Sequence, residues 1–550
     1  HTPGIDATSG PLGQGIAQAA GMAMAEQSLA HMYKDGDKIF NHYTYCLCGD
    51  GCLEEGISQE AISFAGLQKL NKLILMYDCN DVTLDGPLSN SSVENTVGRF
   101  QSAGWNVIKV EDGNSVEDID KAITIAKQSQ EKPTMIMVHT VIGYGSAKQG
   151  THKVHGSPLG IEDGEHAKKV YGYNYGPFEV PEEVYYTFRE SFVKRGQEAY
   201  ANFAKVWKDY KDENYDEALK IESTVDNDVS TLVYKDIPSY SEEFADSTRN
   251  CSGACLNILN KQVFNLIGGS ADVAGSVMTH IKDETDFTAT NRSGRNVNWG
   301  IREFAMAAMQ NGMLLHGGLR TYVGCFLVFA DYLKPAVRMA ALSGLPAIYL
   351  LSHDSIAVGE DGPTHQPIEQ LAMLRSIPNV NVIRPCDARE TAAAWKVALE
   401  STRTPTCLIL SRQKLPMIYS TSYAGVAKGG YVVSPEKEKL DFTIIATGSE
   451  VSLAVETQKK LLADGIDTRV VSMPSMNAFA QQDEAYIEKV LGAPYEKRIA
   501  VEMLSSFGWH KFAKNVMSIE RFGASGPADD VIPSYGFTAD NLASIVKKCL

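Results

Sequence analysis

The tripeptide Gly49-Asp50-Gly51 directly follows an apolar run over 43–48, which predicts a buried strand. Its two glycines allow the backbone to turn sharply and to approach a ligand closely. Asp50 is therefore expected at the carboxyl end of the strand, where its carboxylate is a candidate metal ligand. Taken alone, the pattern is also typical of an ordinary turn.

A second apolar run over 72–77 leads to Asn80 in the same way. The helix expected between the two strands, over 54–70, makes a βαβ unit, so Asp50 and Asn80 lie at the crevice where open parallel sheets bind ligands. With the carbonyl of Val82, they form an oxygen set suited to Mg²⁺ or Ca²⁺, completed by phosphate and water. The spacing predicts a site for a metal-bound diphosphate.

Polar residues and aromatic rings further along the chain indicate a second site. Glu303 opens an apolar helix and is either a cap that suits the helix dipole or a carboxyl aimed into an apolar pocket. Phe326, Phe329 and Tyr332 are spaced three residues apart, which predicts one shared helical face. Such a stripe is either plain core or a ring-binding pocket.

The densest polar cluster lies over 353–365, where His353 and His365 accompany three acidic residues. It follows an apolar run that predicts a buried strand, and loops in that position commonly carry function. A histidine-based metal site would need tighter ligand spacing. Proton transfer and hydroxyl binding fit this cluster better.

The overall composition excludes several classes of protein. A net charge of −16 argues against a nucleic-acid partner, and an anionic substrate would need a local basic cluster. No apolar run approaches the roughly 18 residues of a membrane span. The ten cysteines are scattered, and the cluster Cys46, Cys48 and Cys52 is better explained by buried thiols than by a metal site. Reduced thiols favour a cytoplasmic location.

The alternation of strands and helices over 550 residues predicts three consecutive α/β domains. Two are doubly wound parallel sheets and the third is a C-terminal α/β domain. The predicted ranges are 1–212 for the first domain, 213–245 for a polar linker, 246–422 for the second domain and 423–550 for the third. Near the start, Thr8 or Ser9 is expected to cap the first helix.

Together these motifs resemble the transketolase family, and the resemblance extends over essentially the whole chain. Its most specific segment is Gly359-Glu-Asp-Gly-Pro-Thr-His-Gln366. The matching segments are 10–15, 49–56, 142–146, 154–156, 268–272, 359–366, 411–413 and 521–526. The resemblance makes the first domain the diphosphate- and Mg²⁺-binding domain and the second the pyrimidine-binding domain.

The resemblance also implies a homodimer that binds thiamine diphosphate between its subunits, with Mg²⁺ (for which Ca²⁺ can substitute) held by Asp50, Asn80 and the Val82 carbonyl. The cofactor contacts it implies are Gly10, Leu12, Gly49, Asp50, Gly51, Glu55, Asn80, His155, Asp272, Glu303, Phe326, Phe329 and Tyr332. The sugar-phosphate contacts it implies are Arg249, Ser276, His353, Asp361, His365 and Arg412.

The implied activity is reversible transfer of a two-carbon ketol unit from a ketose phosphate, such as xylulose 5-phosphate, to an aldose phosphate, such as ribose 5-phosphate. This reaction belongs to the pentose phosphate pathway. Glu303 would share a proton with the pyrimidine ring of the cofactor, and His365 and His155 would move protons near the substrate. Arginine suits phosphate because its planar fork matches the oxygens.

Two other readings remain open. A sister thiamine-diphosphate enzyme, such as 1-deoxyxylulose-5-phosphate synthase or dihydroxyacetone synthase, has the same fold. A catalytically silent subunit that retains the fold is the second alternative. The family pattern upstream of His1, about 100 residues with several active-site histidines, has no counterpart in these 550 residues. We therefore expect poor turnover by this chain alone.

Overall fold

The computed structural model describes residues 2–226, 238 and 240–550. The chain divides into two compact units. The first comprises His1–Asp226, Thr288–Ser293 and Leu315–Gly318, and the second comprises Asn227–Phe287, Gly294–Leu314 and Leu319–Leu550. Among the described residues, no helix is long and apolar enough to cross a membrane.

The first unit is built on a parallel sheet. Its strands are β1 (Thr44–Gly49), β2 (Leu73–Cys79), β3 (Val82–Thr83), β4 (Gly86–Pro87), β5 (Asn106–Val110) and β6 (Thr134–His139). The sheet has the order β1-β2-β6-β5, and β3 pairs with β4 in a small antiparallel hairpin. The βαβ unit predicted around Asp50 and Asn80 is confirmed, with β1 and β2 paired in parallel register.

Strand β1 is confirmed as a strand, but it is buried on only one of its two faces. Cys46 and Cys48 are buried, whereas Tyr45 is 48% exposed and Leu47 is 78% exposed. The alternating exposure shows that one face of β1 packs on the core while the other is open.

The first helix begins later than predicted. It spans Gln14–Met32 and has Gly13, not Thr8 or Ser9, at its N-cap. Gly13 has φ +79°, and a Cβ there would lie 2.7 Å from Ile57 Cγ2, so close packing and a left-handed backbone select glycine. The further helices of this unit are Asp50–Glu54, Gly56–Leu67, Thr96–Ser102, Val116–Ala126, Ile161–Tyr171, Glu182–Phe188, Lys194–Glu213 and Tyr215–Val225.

The segment predicted as a linker, 213–245, contains ordered structure at its start. Helix Tyr215–Val225 buries Ala218 and Ile221, whose spacing of three residues marks one helical face within a highly charged stretch. Residues 227–237 and 239 of the predicted linker lie outside the described residues.

The second unit contains two larger sheets. Its strands are β7 (Ala245–Ser247), β8 (Leu266–Ser270), β9 (Asn296–Asn298), β10 (Arg320–Phe326), β11 (Ile348–Ser352), β12 (Asn381–Ile383), β13 (Thr406–Leu410), β14 (Lys414–Pro416), β15 (Tyr431–Ser434), β16 (Phe442–Ala446), β17 (Thr468–Ser472), β18 (Arg498–Val501) and β19 (Asn515–Met517). The six-stranded sheet is parallel with the order β12-β13-β11-β10-β8-β9.

The five-stranded sheet has the order β15-β17-β16-β18-β19, with β15 antiparallel to its neighbour and the other strands parallel. Short strands β7 and β14 pair with each other. The helices of the second unit are Thr248–Leu259, Ala274–Val277, Glu303–His316, Ala330–Ser343, Gln370–Arg375, Ala388–Glu400, Tyr423–Ala427, Glu450–Ala463, Met476–Phe479, Glu484–Leu491, Ala528–Ser534 and Ala539–Cys549. With three α/β sheets in succession, the predicted fold class is confirmed.

Strand β10 was not foreseen, and this corrects the prediction of one helical face for three aromatic residues. Phe326 is the last residue of β10, Phe329 ends a single 3₁₀ turn, and Tyr332 lies in the first turn of helix Ala330–Ser343. The run Tyr322–Cys325 is fully buried, so buried and exposed positions do not alternate along it. Its sequence pattern therefore distinguishes neither a strand nor a helix.

Candidate active site

In the first unit, Asp50 is the first residue of helix Asp50–Glu54, which directly follows β1. Its side chain is 4% exposed, its Oδ2 accepts a hydrogen bond from the Asn80 backbone at 3.3 Å, and its Oδ1 accepts one from the Tyr77 hydroxyl. Burial raises the pKa of this carboxyl, and the hydrogen bonds from Tyr77 and Asn80 oppose that rise. The structure therefore brings together Asp50 and Asn80, which the sequence predicted as neighbours.

Asn80 and Val82 form a tight turn beside this carboxylate. The Val82 N–H donates to Asn80 Oδ1 at 3.1 Å, which fixes the orientation of the Asn80 side chain. The Val82 carbonyl belongs to the same short segment. Asp81, with φ +59°, lies between them. Such a left-handed backbone at a non-glycine residue persists only where its surroundings hold it.

Asp81 belongs to the same cluster, although the sequence analysis did not select it. Ligand atoms of Asp50, Cys79 and Asp81 lie within 4.8 Å of one another. Burial raises the pKa of the Cys79 thiol to about 11, so this sulfur stays protonated at neutral pH and is a poor ligand for a hard cation. The two clustered carboxylates suit a divalent cation such as Mg²⁺. A cation would also offset the cost of burying the charged form of Asp50.

The segment that contains Gly10 and Leu12 lies against this turn. A Cβ on Gly51 would sit 3.2 Å from Leu12 Cδ1, and one on Gly13 would sit 2.9 Å from Glu55 Cβ. Leu12 therefore lies close to Gly51, Gly49 and Gly51 flank Asp50, and Gly10 and Glu55 lie on the same two segments. They are exposed or half-buried, as a ligand-facing surface requires.

His155 is half-buried in the first unit, next to the left-handed Gly156. Its Nδ1 atom is buried and has no hydrogen-bond partner among the described residues. A buried polar atom without a partner is costly, so a ligand group at this position would be favourable.

In the second unit, aromatic and imidazole rings pack together where β10 and β11 end. The Phe326 ring stacks on His353 with centroids 3.7 Å apart and on Phe329 at 6.0 Å. His365 meets the edge of Phe329 at 5.5 Å, and Phe329 meets Tyr332 at 6.0 Å. Tyr332 is 61% exposed, so one end of the group is open.

Positive charge surrounds this ring cluster. His353 is buried, and its pKa is lowered to about 3 by that burial together with the charges of Arg249, Arg412 and His365. Arg249 donates to the Ser276 carbonyl at 2.8 Å, and its own pKa is lowered by burial and by the nearby charge of Arg412. The two arginines therefore place positive charge beside the neutral His353 ring, an arrangement suited to an anion.

Three acidic residues predicted for the site lie around the same sheet edge. Glu303 starts helix Glu303–His316, and its charge adds to burial in raising the pKa of the Cys325 thiol, which places the two side chains near each other. Asp272 follows β8 with φ +61° and is exposed. Asp361 is exposed on the loop after β11. Carboxyl ends of adjacent parallel strands are the usual ligand position in such sheets.

The sequence analysis missed a buried group of charged residues behind this cluster. Arg384 is fully buried and forms ion pairs with Asp354 and Glu450. No feature of the sequence predicts the burial of Arg384, because arginine side chains are usually exposed.

Three family models match the chain. They are "Transketolase, thiamine diphosphate binding domain" over residues 1–230, "Transketolase, pyrimidine binding domain" over 245–417 and "Transketolase-like TK C-terminal domain" over 429–538. The models and the site together define a thiamine-diphosphate-dependent transferase.

Relatives and solved structures agree with these models. A transketolase of Bacillus subtilis is 50% identical over 561 residues, and a probable transketolase of Streptococcus pneumoniae is 49% identical over 553; each match covers 100% of this chain and 84% of the relative. Transketolase from Leishmania mexicana superposes with a TM-score of 0.96 at 41% identity, covering 100% of this chain and 82% of that one. The chain belongs to the transketolase family.

Proposed function

We propose that this chain transfers a two-carbon ketol unit from a ketose phosphate, such as xylulose 5-phosphate, to an aldose phosphate, such as ribose 5-phosphate. The observation that carries the proposal is the pair Arg249 and Arg412 beside the ring of His353, at the end of a sheet within the segment matched by the pyrimidine-binding model. Its chemistry suits a phosphorylated sugar beside an aromatic cofactor ring. The reaction would serve the pentose phosphate pathway in the cytoplasm.

Solved relatives support the substrate class. Structures of transketolase from Pichia stipitis, 39–40% identical to this chain with TM-scores of 0.96, include complexes described with sedoheptulose 7-phosphate and with xylulose 5-phosphate. The proposal extends that class of ligand to this chain.

When bound, thiamine diphosphate supplies the nucleophilic carbon that carries the two-carbon unit. In the first unit, Asp50, Asn80 and the Val82 carbonyl would hold Mg²⁺, with Asp81 as an additional oxygen donor. Gly10 and Leu12 would offer backbone groups to the pyrimidine. The orphaned Nδ1 of His155 would bind a ligand oxygen.

In the second unit, Phe326, Phe329 and Tyr332 would hold the pyrimidine ring, and Glu303 would hold a proton at a ring nitrogen. The remaining residues would bind the sugar phosphate. Arg249, Arg412, Ser276 and His353 would contact the phosphate, and Asp361 and His365 would contact hydroxyls. We further propose a homodimer in which each cofactor lies between subunits, with Glu55 and Asp272 at the interface.

The direct test is formation of sedoheptulose 7-phosphate from xylulose 5-phosphate and ribose 5-phosphate, with and without thiamine diphosphate and Mg²⁺. Product that requires both cofactors supports the proposal. Turnover of pyruvate or formaldehyde in place of a sugar phosphate would instead favour a sister synthase. Cofactor binding without turnover, both in this chain and in a chain extended upstream of His1, would favour a silent subunit. Sedimentation of the loaded protein tests the dimer.

A further inference from the structure

Five charged side chains form a buried group between the two sheets of the second unit. Asp354 follows β11, Arg384 follows β12, Glu450 begins helix Glu450–Ala463, and Glu502 follows β18 and pairs with Arg375. Each of these side chains is at most 5% exposed. Buried charges are tolerated only when their partners are held in place, so the geometry of this group is strongly constrained.

Arg384 joins the segments that carry the two sheets through both its side chain and its backbone. Its Nε donates to Asp354 Oδ2 at 2.9 Å, its Nη1 donates to Thr447 Oγ1 at 3.0 Å, and the same nitrogen forms an ion pair with Glu450. Its backbone N–H donates to the Pro474 carbonyl at 2.9 Å. Both the backbone and the side chain of Arg384 are therefore fixed by the segment that carries the five-stranded sheet.

Asp354 has no comparable support of its own. Its Oδ2 is held by Arg384, and its Oδ1 is buried without a partner among the described residues. The position of this carboxylate consequently depends on Arg384 more than on any other side chain described.

The residue directly before Asp354 is His353, and its conformation is unusual. It has φ +63°, its Nδ1 lies 2.8 Å from Ser352 Oγ, and its ring stacks on Phe326 at 3.7 Å. A non-glycine residue in this backbone region persists only when its neighbours fix it. Ring stacking fixes one side of His353, and the Asp354–Arg384 pair fixes the chain immediately after it.

We propose that Asp354 and Arg384 are positioning residues for sugar-phosphate binding, through which the C-terminal sheet holds His353 in its binding conformation. This inference rests on the proposed function, in which His353 contacts the sugar phosphate. It gives the C-terminal domain a role in substrate affinity that acts through the buried charged group.

The same buried group provides a matched control. Arg375 binds Glu502 through two hydrogen bonds of 2.8 Å each and is almost as buried as Arg384, but it makes no described contact with Asp354. A purely stabilising role for the group predicts equal consequences for losing either arginine. A positioning role predicts different ones.

The experiment compares Asp354→Asn, Arg384→Met, Arg384→Lys and Arg375→Met in the full chain loaded with thiamine diphosphate and Mg²⁺. We expect KM for xylulose 5-phosphate to rise about tenfold or more in Asp354→Asn and Arg384→Met, because small displacements of a binding group are costly. Arg384→Lys should recover part of this loss. Arg375→Met should lower Tm while KM stays within about twofold of wild type, and cofactor affinity should be unchanged throughout.

Binding of ribose 5-phosphate alone, measured by calorimetry, tests the proposed function and the positioning role separately, because it needs no turnover. Wild-type protein that binds no sugar phosphate would refute the proposed function. Wild-type binding that is retained at full strength in Asp354→Asn, or equal KM values in Arg384→Met and Arg375→Met, would overturn only the positioning role. If Arg384→Met does not fold, the isosteric Asp354→Asn decides the question.

Discussion

In the first unit, the predicted cofactor residues are mostly backbone groups and exposed side chains around the buried carboxylate of Asp50, whose pKa is raised by burial. In the second unit, the predicted residues are side chains that pack on one another, with Phe326 stacked on His353 at 3.7 Å. The first arrangement carries negative charge that a bound cation would balance. The second is ordered by its own packing and hydrogen bonds.

This difference separates two kinds of function. A site completed by a cation should control whether the cofactor is retained, and its defects should respond to metal concentration. A site that is already packed should control orientation and proton transfer, and its defects should not respond to added metal. Substitutions in the two units test this distinction.

The largest effect is expected for Glu303→Gln in the second unit. This change keeps the size of the side chain but removes the proton-holding carboxylate, so kcat should fall by about 10²–10⁴-fold. Affinity for thiamine diphosphate, followed by quenching of intrinsic fluorescence, should change little because the metal-bound end is untouched. Turnover within about twofold of wild type would refute the role of Glu303.

A smaller and metal-dependent effect is expected for Asp50→Asn in the first unit. Loss of this charge should weaken Mg²⁺-dependent cofactor binding by about 10–100-fold, with activity partly restored by excess Mg²⁺. Glu54→Gln, an exposed position at the end of the same helix, is the control and should bind the cofactor normally. If raising the metal concentration leaves the Asp50→Asn defect unchanged, the contrast between the two units fails.

The arginines of the second unit should affect phosphate recognition specifically. Arg249→Met or Arg412→Met should raise KM for xylulose 5-phosphate by about tenfold, the equivalent of one charged hydrogen bond. KM for unphosphorylated xylulose should stay the same, since only the phosphate contact is lost. The control is Arg389→Met, because Arg389 also donates to a backbone carbonyl, that of Tyr419, but lies outside the cluster. An equal loss for both sugars would contradict the assignment.

The sequence predicted the site correctly where a polar residue directly follows an apolar run that forms a strand. Asp50 and Asn80 each follow an apolar strand, so their meeting at one edge of the sheet was predictable from the βαβ unit alone. Strands β13 and β16 are also recognisable from sequence, because each is a short apolar run between clear turns.

The failures have physical causes as well. Strand β10 is buried on both faces, so no alternation distinguished it from a helix, and Phe326 was assigned to the wrong element. Asp81 was passed over because Asn-Asp pairs are common in turns. Arg384 could not be found from sequence, since burial of its charge depends on Asp354 and Glu450, which are distant in the chain.

The smallest effect is expected for His353 and concerns stability. It is negligible at neutral pH and grows as the pH falls. Its folded pKa of about 3 lies below the unfolded value of about 6.5, so the unfolded chain binds a proton between these values while the folded chain does not. The stability contributed by the neutral ring is complete above about pH 6.5 and is lost as the pH falls toward 3. Wild-type protein should therefore become easier to unfold in urea between pH 6.5 and pH 4.

His353→Gln should reduce the slope of unfolding free energy against pH by up to about 1.4 kcal/mol per pH unit in this range, because it removes one proton-uptake event. His280→Gln, an exposed position in the same unit, should leave the slope unchanged. A His353→Gln slope equal to that of wild type would mean that the ring accepts its proton without leaving the cluster. The second unit would then be less tightly packed around its phosphate-binding residues than the stacking of Phe326 on His353 indicates.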